Sequence, residues 1–473
     1  MMETRFDAIV VGAGPAGSSA AIMLATAGWS VALVEKQQFP RRKVCGECIA
    51  ASVLPLLHQL GIGRALDQVT GPELRQVSLV SRAGTISAPL PAFDDPVHAW
   101  GRTVDRQDLD ALLVARAQEL GVTLFQPWVA CEVGGIPGSF FCRIRAEHPD
   151  AEEGPEPVHA TDASRASVRL VAPVLIAAHG SWSSLRGLDT ADSLSPLESL
   201  RPQPRASDLF AFKANFTASA LQSGVISVLA FAGGYGGMVL GRDGIATVAC
   251  CLRRDRLATG RLKMPGAPAG DAIEALLKES CAGVRDALRD AARREKWLSV
   301  GPIRPGIRLS GEAGGAFRVG NAAAEAHPVI GEGISMALQS SCLLVAGLIR
   351  AREAHDKLSS TILESVRKDY AHAWKARFAQ RLSVASVLAS LAMRPQAALL
   401  LPLIKAFPSL LAHAARISGK VRPAVPLPPI DFMRAAVNEA AAEIVRTGGD
   451  GQAGPPGRVD GHTTTRDIRH DHA

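Results

Sequence analysis

The sequence predicts an α/β protein in which a Rossmann-like sheet is interleaved with a second, β-rich domain and followed by C-terminal helices. Three observations predict it. Phe6 to Val11 is an apolar, strand-like run that passes straight into Gly12-Ala13-Gly14-Pro15-Ala16-Gly17 and an Ala-rich stretch of helical spacing. Residues 209–252 break into short apolar runs with Gly-Gly pairs at 233–234 and 236–237, the pattern of twisted antiparallel strands and turns. Residues 351–418 read as mostly helical. A chain of 473 residues has room for two or three domains and a large core, and 47% hydrophobic with 21% charged residues excludes collagen-like, disulfide-scaffold and wholly disordered classes.

The elements follow in order. Val31 to Val34, closed by Glu35, is a second strand, so strand, glycine turn, helix and strand occupy about thirty residues, the opening of a βαβ unit. Leu74 to Ser81 alternates as a half-buried strand does, and Leu109 to Leu120 reads as a helix after Arg106-Gln-Asp-Leu-Asp110. His148 to Ser167, rich in Pro, Glu and Ala, is expected to be a long surface loop. Val168 to Ala178 is apolar enough for one buried strand. Phe317 to Val319 is expected to be another central strand, and Gly331 to Arg350 a helix. Residues 421–473 are expected to be tail, with one helix near Phe432 to Arg446.

Charge is distributed unevenly. The whole chain carries +7, and residues 351–420 alone hold eleven basic and four acidic side chains, so the remainder is near neutral. That distribution, with aromatics at only 5%, argues against a nucleic-acid partner. From residue 371 to 420 there is no acid, while Lys375, Arg377, Arg381, Arg394, Lys405 and Arg416 punctuate leucine-rich turns. The segment 370–420 therefore reads in two ways: helices that pack on the protein with their charges solvated, or a helix pair that caps a substrate tunnel and touches an anionic membrane surface. No uninterrupted apolar run reaches the ~18 residues of a spanning helix; the closest approach is read as Leu382 to Ala415, broken by three prolines and two cations. Eight cysteines without framework spacing, and an N-terminus with no charged-then-apolar leader, lead to the expectation of a reducing, cytoplasmic location.

The glycine cluster carries the chemistry. Gly12 permits a sharp turn out of the strand, Gly14 lets main chain approach a pyrophosphate, and Gly17 lets helix and strand pack closely with the helix N-terminus toward the phosphates. Ala13 lies inside this turn. Glu35, 18 residues beyond Gly17 and followed by Lys36, stands where a carboxylate accepts ribose hydroxyls and repels a 2′-phosphate, so the site suits the adenosine of FAD or NAD rather than NADP.

The far end of the chain decides between those two. Val319-Gly320-Asn321, then His327-Pro328 and Gly331-Glu332-Gly333-Ile334, places a second glycine turn between a strand and a long helix. Together with Arg41-Arg-Lys43-Val-Cys45-Gly46-Glu47 and Val104-Asp-Arg106, this resembles the superfamily of FAD-dependent aromatic hydroxylases (group A flavin monooxygenases), geranylgeranyl reductases and flavin halogenases, over roughly residues 5–380. The resemblance implies noncovalent FAD. It places Arg106 beside the cofactor, Gly320 and Asn321 at the ribityl chain, the turn Gly331, Gly333 and Ile334 at the flavin, and Pro328 near its face. It also implies an FAD-binding domain of glutathione-reductase type made of 1–73, 100–184 and 300–350, a substrate domain of 74–99 and 185–299, and a helical segment 351–420. Two positions depart from the pattern: Asn321 stands for an aspartate, and His179-Gly180 for an aspartate-glycine pair near the nicotinamide path.

The candidate residues for chemistry are Cys45, His179, His327 and Pro328. Cys45-Gly46-Glu47-Cys48 can be read as a redox pair, as packing, or, from the resemblance to polyprenyl reductases, as one thiol beside the flavin. A structural zinc would need two more ligands, so no metal is expected. The expectation is a flavin monooxygenase, with NADH or NADPH as reductant, that hydroxylates an apolar aromatic or polyketide-like small molecule. The alternative is a geranylgeranyl-reductase-like enzyme acting on the C=C bonds of a lipid or prenyl chain. A third reading is a lipid escort that keeps the fold without the chemistry. The halogenases' W-x-W-x-x-P run is missing, and Gly233-Gly-Tyr235-Gly-Gly-Met238 stands in the substrate sheet instead.

Overall fold

Three strands that are apolar on both faces build the centre of the molecule. In the computed structural model, Ala8–Val11, Val31–Val34 and Val174–Ala177 are buried along their whole length. They lie in a five-stranded parallel sheet in the order Phe317–Arg318, Val174–Ala177, Ala8–Val11, Val31–Val34, Thr123–Phe125. Continuous apolar runs suit a parallel sheet covered on both sides. One face carries Ile9, Val11, Ala32, Val34, Leu175 and Ala177, which pack on Val133, Phe140, Cys142, Ile144 and Leu170 of a four-stranded sheet. Helix Pro15–Thr26 packs against helices Arg106–Glu119 and Gly333–Ala354.

The structure describes residues 3–147, 167–181, 204–309, 315–394, 399–417 and 423–425, all within the unit Met1–Pro429. Most of the loop expected at 148–167, Trp182, and the tail helix near 432–446 lie outside the described residues.

The eight-stranded sheet runs Ala292–Arg293, Leu209–Thr217, Ala246–Arg253, Gly234–Leu240, Val225–Phe231, Gln76–Ser81, Gly84–Pro89, with Leu298–Ile303 also paired to Leu209–Thr217. The chain therefore stays in this sheet past residue 300, where the sequence reading placed the return. Alternation along Leu209–Thr217 sorts its side chains. Phe212, Ala214 and Phe216 join Ile273, Leu276, Leu277 and Val284 of two short helices, Ala269–Ser280 and Ala282–Ala287, on one face. Leu209 and Ala211, with Tyr235 and Cys251, face the other way and pack with Val44, Val329, Ala389 and Met393.

Four sequence expectations are corrected. The run 168–178 is two strands in two different sheets, Ser167–Ala172 and Val174–Ala177. Pro173 separates them; it has no N–H to continue a ladder. Phe317–Arg318 is an edge strand of two residues, not a central one. The helix expected from Leu109 starts at Arg106, because Asp105 caps it by accepting from the Gln107 N–H at 2.9 Å. Among the described residues, the one helix apolar and long enough to cross a membrane is Gly333–Ala354 rather than the stretch from Leu382; 78% of its most apolar window is buried inside the fold, as in a core helix.

Candidate active site

The first glycine turn leaves the end of strand Ala8–Val11 with Gly12 at φ +104°, a conformation that L side chains rarely adopt, and a Cβ there would lie 2.5 Å from the Ala178 carbonyl oxygen. At Gly17 a Cβ would lie 1.8 Å from the Gly12 oxygen, so only glycine lets the helix sit this close to the turn. Above Gly14 the space is open until the Arg41 guanidinium, 4.0 Å from an ideal Cβ. No side chain caps the helix, so its N-terminal partial positive charge is left for a ligand. Glu35 is buried and holds the turn: Oε2 accepts the Ala13 N–H at 2.9 Å and Oε1 the Gln37 N–H at 2.9 Å. Lys36, next in sequence, is exposed.

Cations gather beside this turn. Arg106 forms a bidentate pair with Asp110, Nε–Oδ1 3.0 Å and Nη2–Oδ2 2.8 Å, and both residues are buried. Arg41 lies 3.5 Å from Glu35 and 3.9 Å from Asp110. Lys43 Nζ is 3.9 Å from where a side chain on Gly180 would begin. Its pKa falls to about 8, first through burial and then through repulsion by Arg106 and Arg41. Three cations face two carboxylates here, one positive charge in excess. A pyrophosphate fits that excess, the open space over Gly14 and the uncapped helix, so the residues present suit FAD.

The second segment comes to the same region. Gly320 donates its N–H to Ser340 Oγ at 2.8 Å, and its Cβ position lies 2.8 Å from Ala16 Cβ, beside the first helix. Asn321 donates through Nδ2 to Ser181 Oγ at 3.1 Å, while its carbonyl accepts from Arg308 at 2.7 Å. Arg308 also pairs with Glu325 at 3.0 Å, which ties the Arg304–Arg308 loop to the second glycine segment. Half-buried His179 has its Cα 2.9 Å from the Cβ position of Gly12. Pro328 is exposed at the start of a short 3₁₀ turn that ends on Gly331 at φ +64°, and Gly333 and buried Ile334 open the long helix, which no side chain caps.

His327 meets the eight-stranded sheet. Its Nδ1 lies 3.1 Å from the Tyr235 hydroxyl, and Tyr235 is 1% exposed. Burial lowers the His327 pKa, partly offset by Glu325, so the imidazole is neutral near pH 7. Burial above all pushes the Tyr235 hydroxyl far up, and it hydrogen-bonds Cys251. Which of Tyr235 and His327 donates depends on the imidazole tautomer; the tautomer with its proton on Nδ1 gives that hydrogen to the Tyr235 oxygen and leaves Nε2 as the basic nitrogen. Around this pair stand Leu209, Ala211, Val329, Ala389 and Met393, an apolar wall.

The loop between Arg41 and Ile49 adds what sequence reasoning missed. Cys45 and Cys48 are free thiols. Cys45 hydrogen-bonds Arg106, and Cys48 reaches the Gly46 carbonyl at 3.4 Å. Between them Glu47 sits at φ +57°, and its buried carboxylate takes the Lys213 ammonium on one oxygen and the Thr247 hydroxyl, at 2.5 Å, on the other. Burial raises the Glu47 pKa against the pull of Lys213. Lys213 is 1% exposed and lies on the same sheet face as Ala211 and Leu209. The available signal was a lysine inside the apolar run Leu-Phe-Ala-Phe-Lys-Ala-Asn-Phe; its partner, 166 positions away, left none.

Residues 5–190 match the family model described as FAD binding domain. Menaquinone reductase of Mycobacterium tuberculosis is 34% identical over 124 residues, 26% of this chain and 29% of that protein, so the match spans under a third of the relative's length. Among solved structures, a myxobacterial chondrochloren halogenase superposes with a TM-score of 0.63 at 19% identity over 87% of this chain and 90% of that one. A geranylgeranyl bacteriochlorophyll reductase-like protein of Thermoplasma acidophilum gives 0.57 at 17% identity, over 94% and 98%. At these identities the structural likeness speaks for the fold.

Proposed function

For a chain of the FAD-dependent oxidoreductase superfamily with an FAD binding domain at 5–190, we propose hydroxylation of an apolar, phenolic small molecule at the expense of NADH or NADPH. The observation that carries it is His327, neutral and hydrogen-bonded to Tyr235 at 3.1 Å in an apolar wall next to the flavin segment. Bound FAD supplies the redox chemistry: two electrons from the nicotinamide are spent on dioxygen. One oxygen atom enters a ring C–H bond as a hydroxyl and the other leaves as water; of the three hydrogens supplied by the ring, a solvent proton and the nicotinamide hydride, one ends on the new hydroxyl and two in the water. The protein's part is positioning and proton handling. His327 Nε2 takes the phenolic proton, which makes the ring electron-rich, while Tyr235 fixes the tautomer. Leu209, Ala211, Val329 and Met393 exclude water from the ring.

The expected outcome is coupled oxygen uptake and hydroxylated product in the FAD-loaded protein, with kcat reduced about 10²–10⁴-fold in His327→Asn. The base must be unprotonated, so activity rises with pH through the His327 pKa. Because burial depresses that pKa from 6.5, the acid limb of kcat/KM falls below pH 6.5. An acid limb above 6.5, or an unimpaired His327→Asn, contradicts the assignment.

One observation favours a second reading. The Cys45 thiol held against Arg106 in the flavin loop is placed to donate a proton in the reduction of a carbon–carbon double bond. Product gaining two hydrogens in the absence of oxygen is the result that selects it.

A further inference from the structure

Large apolar side chains exposed to water cluster in one stretch of the chain. Of the twelve that stand out among the described residues, eight fall between 387 and 417: Val387, Leu391, Leu399, Leu400, Leu403, Phe407, Leu410 and Ile417. Leu399 is 77% exposed and Phe407 57%. Monomeric proteins rarely leave such groups together in water without a use for them.

Helix Ser409–Ile417 shows how the patch is organised. Leu411 and Ala415, one turn apart, pack inward with Leu74, Val77 and Leu90 of the substrate domain. Leu410 and Ile417, two turns apart, share an outer stripe, and His413 and Arg416 occupy a neighbouring exposed stripe. Arg394 and Lys405 are exposed in the same region, and no acidic residue occurs from 371 to 420. Apolar side chains bordered by long cations match a surface whose interior is hydrocarbon and whose headgroups are negative. Two copies of this face would bring cations against cations across a twofold axis, so its charge opposes self-association.

Behind the helix Cys48, Leu74, Leu90, Trp100 and Ile226 line a small open cleft of about 30 Å³, room for a single water. Those residues belong to the same apolar cluster as Leu411 and Ala415. Cys48 belongs to the Arg41–Ile49 loop, so the cleft joins the inner side of the C-terminal helix to the flavin loop.

We propose that the exposed apolar and cationic side chains of residues 387–394 and 399–417 dock the protein on an anionic lipid bilayer. The docking surface stands on its own residues, independently of the function proposed above.

The test is co-sedimentation of the full-length, FAD-loaded protein with vesicles of phosphatidylcholine alone and of equal parts phosphatidylcholine and phosphatidylglycerol. Binding is expected only to the anionic vesicles and should weaken as salt is raised. Lys405→Glu with Arg416→Glu should lower the partition coefficient at least about 20-fold, roughly fivefold for each cation removed before the added repulsion. Leu403→Ser with Phe407→Ser should abolish binding. The flavin absorbance of each variant reports whether it folds. No binding by the full chain, as when its own residues 426–473 or a second copy cover the patch, overturns the proposal. So does equal binding of both variant pairs with the flavin band intact. Binding without any reduction of the flavin by NADH or NADPH leaves the docking in place and defeats the functional reading instead.

Discussion

Lys43 is held where a positive charge is costly, partly buried and close to Arg41 and Arg106, and its pKa of about 8 records that cost. A bound pyrophosphate reverses the balance. Below pH 8 the lysine is already charged; above it, FAD binding must take up a proton, so affinity should fall as pH rises through about 8. Lys43→Gln should weaken FAD about tenfold near neutral pH and remove that pH dependence. Fluorescence titration of FAD into apoprotein across this range checks it, and an unchanged pH profile in the variant contradicts it. At this scale much of the glycine turn was legible: Gly12, Gly17 and Glu35 act through their immediate neighbours and fixed spacing. The Arg106–Asp110 pair was within reach too, since the two lie one helical turn apart. Tyr235 was visible as a residue but not as the partner of His327, because 92 positions separate them.

Between elements, the Glu47–Lys213 pair joins the Arg41–Ile49 loop to the middle of the eight-stranded sheet. Neither group reaches water, and Glu47 accepts a left-handed backbone to make the contact. Removing one partner leaves a buried charge uncompensated. Lys213→Met should therefore cost about 3–5 kcal/mol of stability, and adding Glu47→Gln should recover most of it. Denaturant unfolding of the three variants decides the matter; a double variant no more stable than Lys213→Met would show that the pair is not the link. The elements themselves divide the same way. Periodicity located the βαβ opening and the long C-terminal helices, because these are local patterns. It joined 168–178 into one strand, because hydrophobicity is blind to the change of sheet at Pro173.

For the whole molecule, the described chain places the five-stranded parallel sheet, the eight-stranded sheet and C-terminal helices around one apolar region where His327, Tyr235 and Met393 meet. That arrangement follows from tertiary packing; the sequence announced the parts in order without saying which faces would come together. The reaction is the central claim. The most direct measurement is mass spectrometry of product formed by the FAD-loaded protein with NADH or NADPH, a phenolic apolar substrate and isotopically labelled dioxygen. The account predicts a product carrying one labelled oxygen atom, lost in His327→Asn. A product that carries no label and has gained two hydrogens would contradict it.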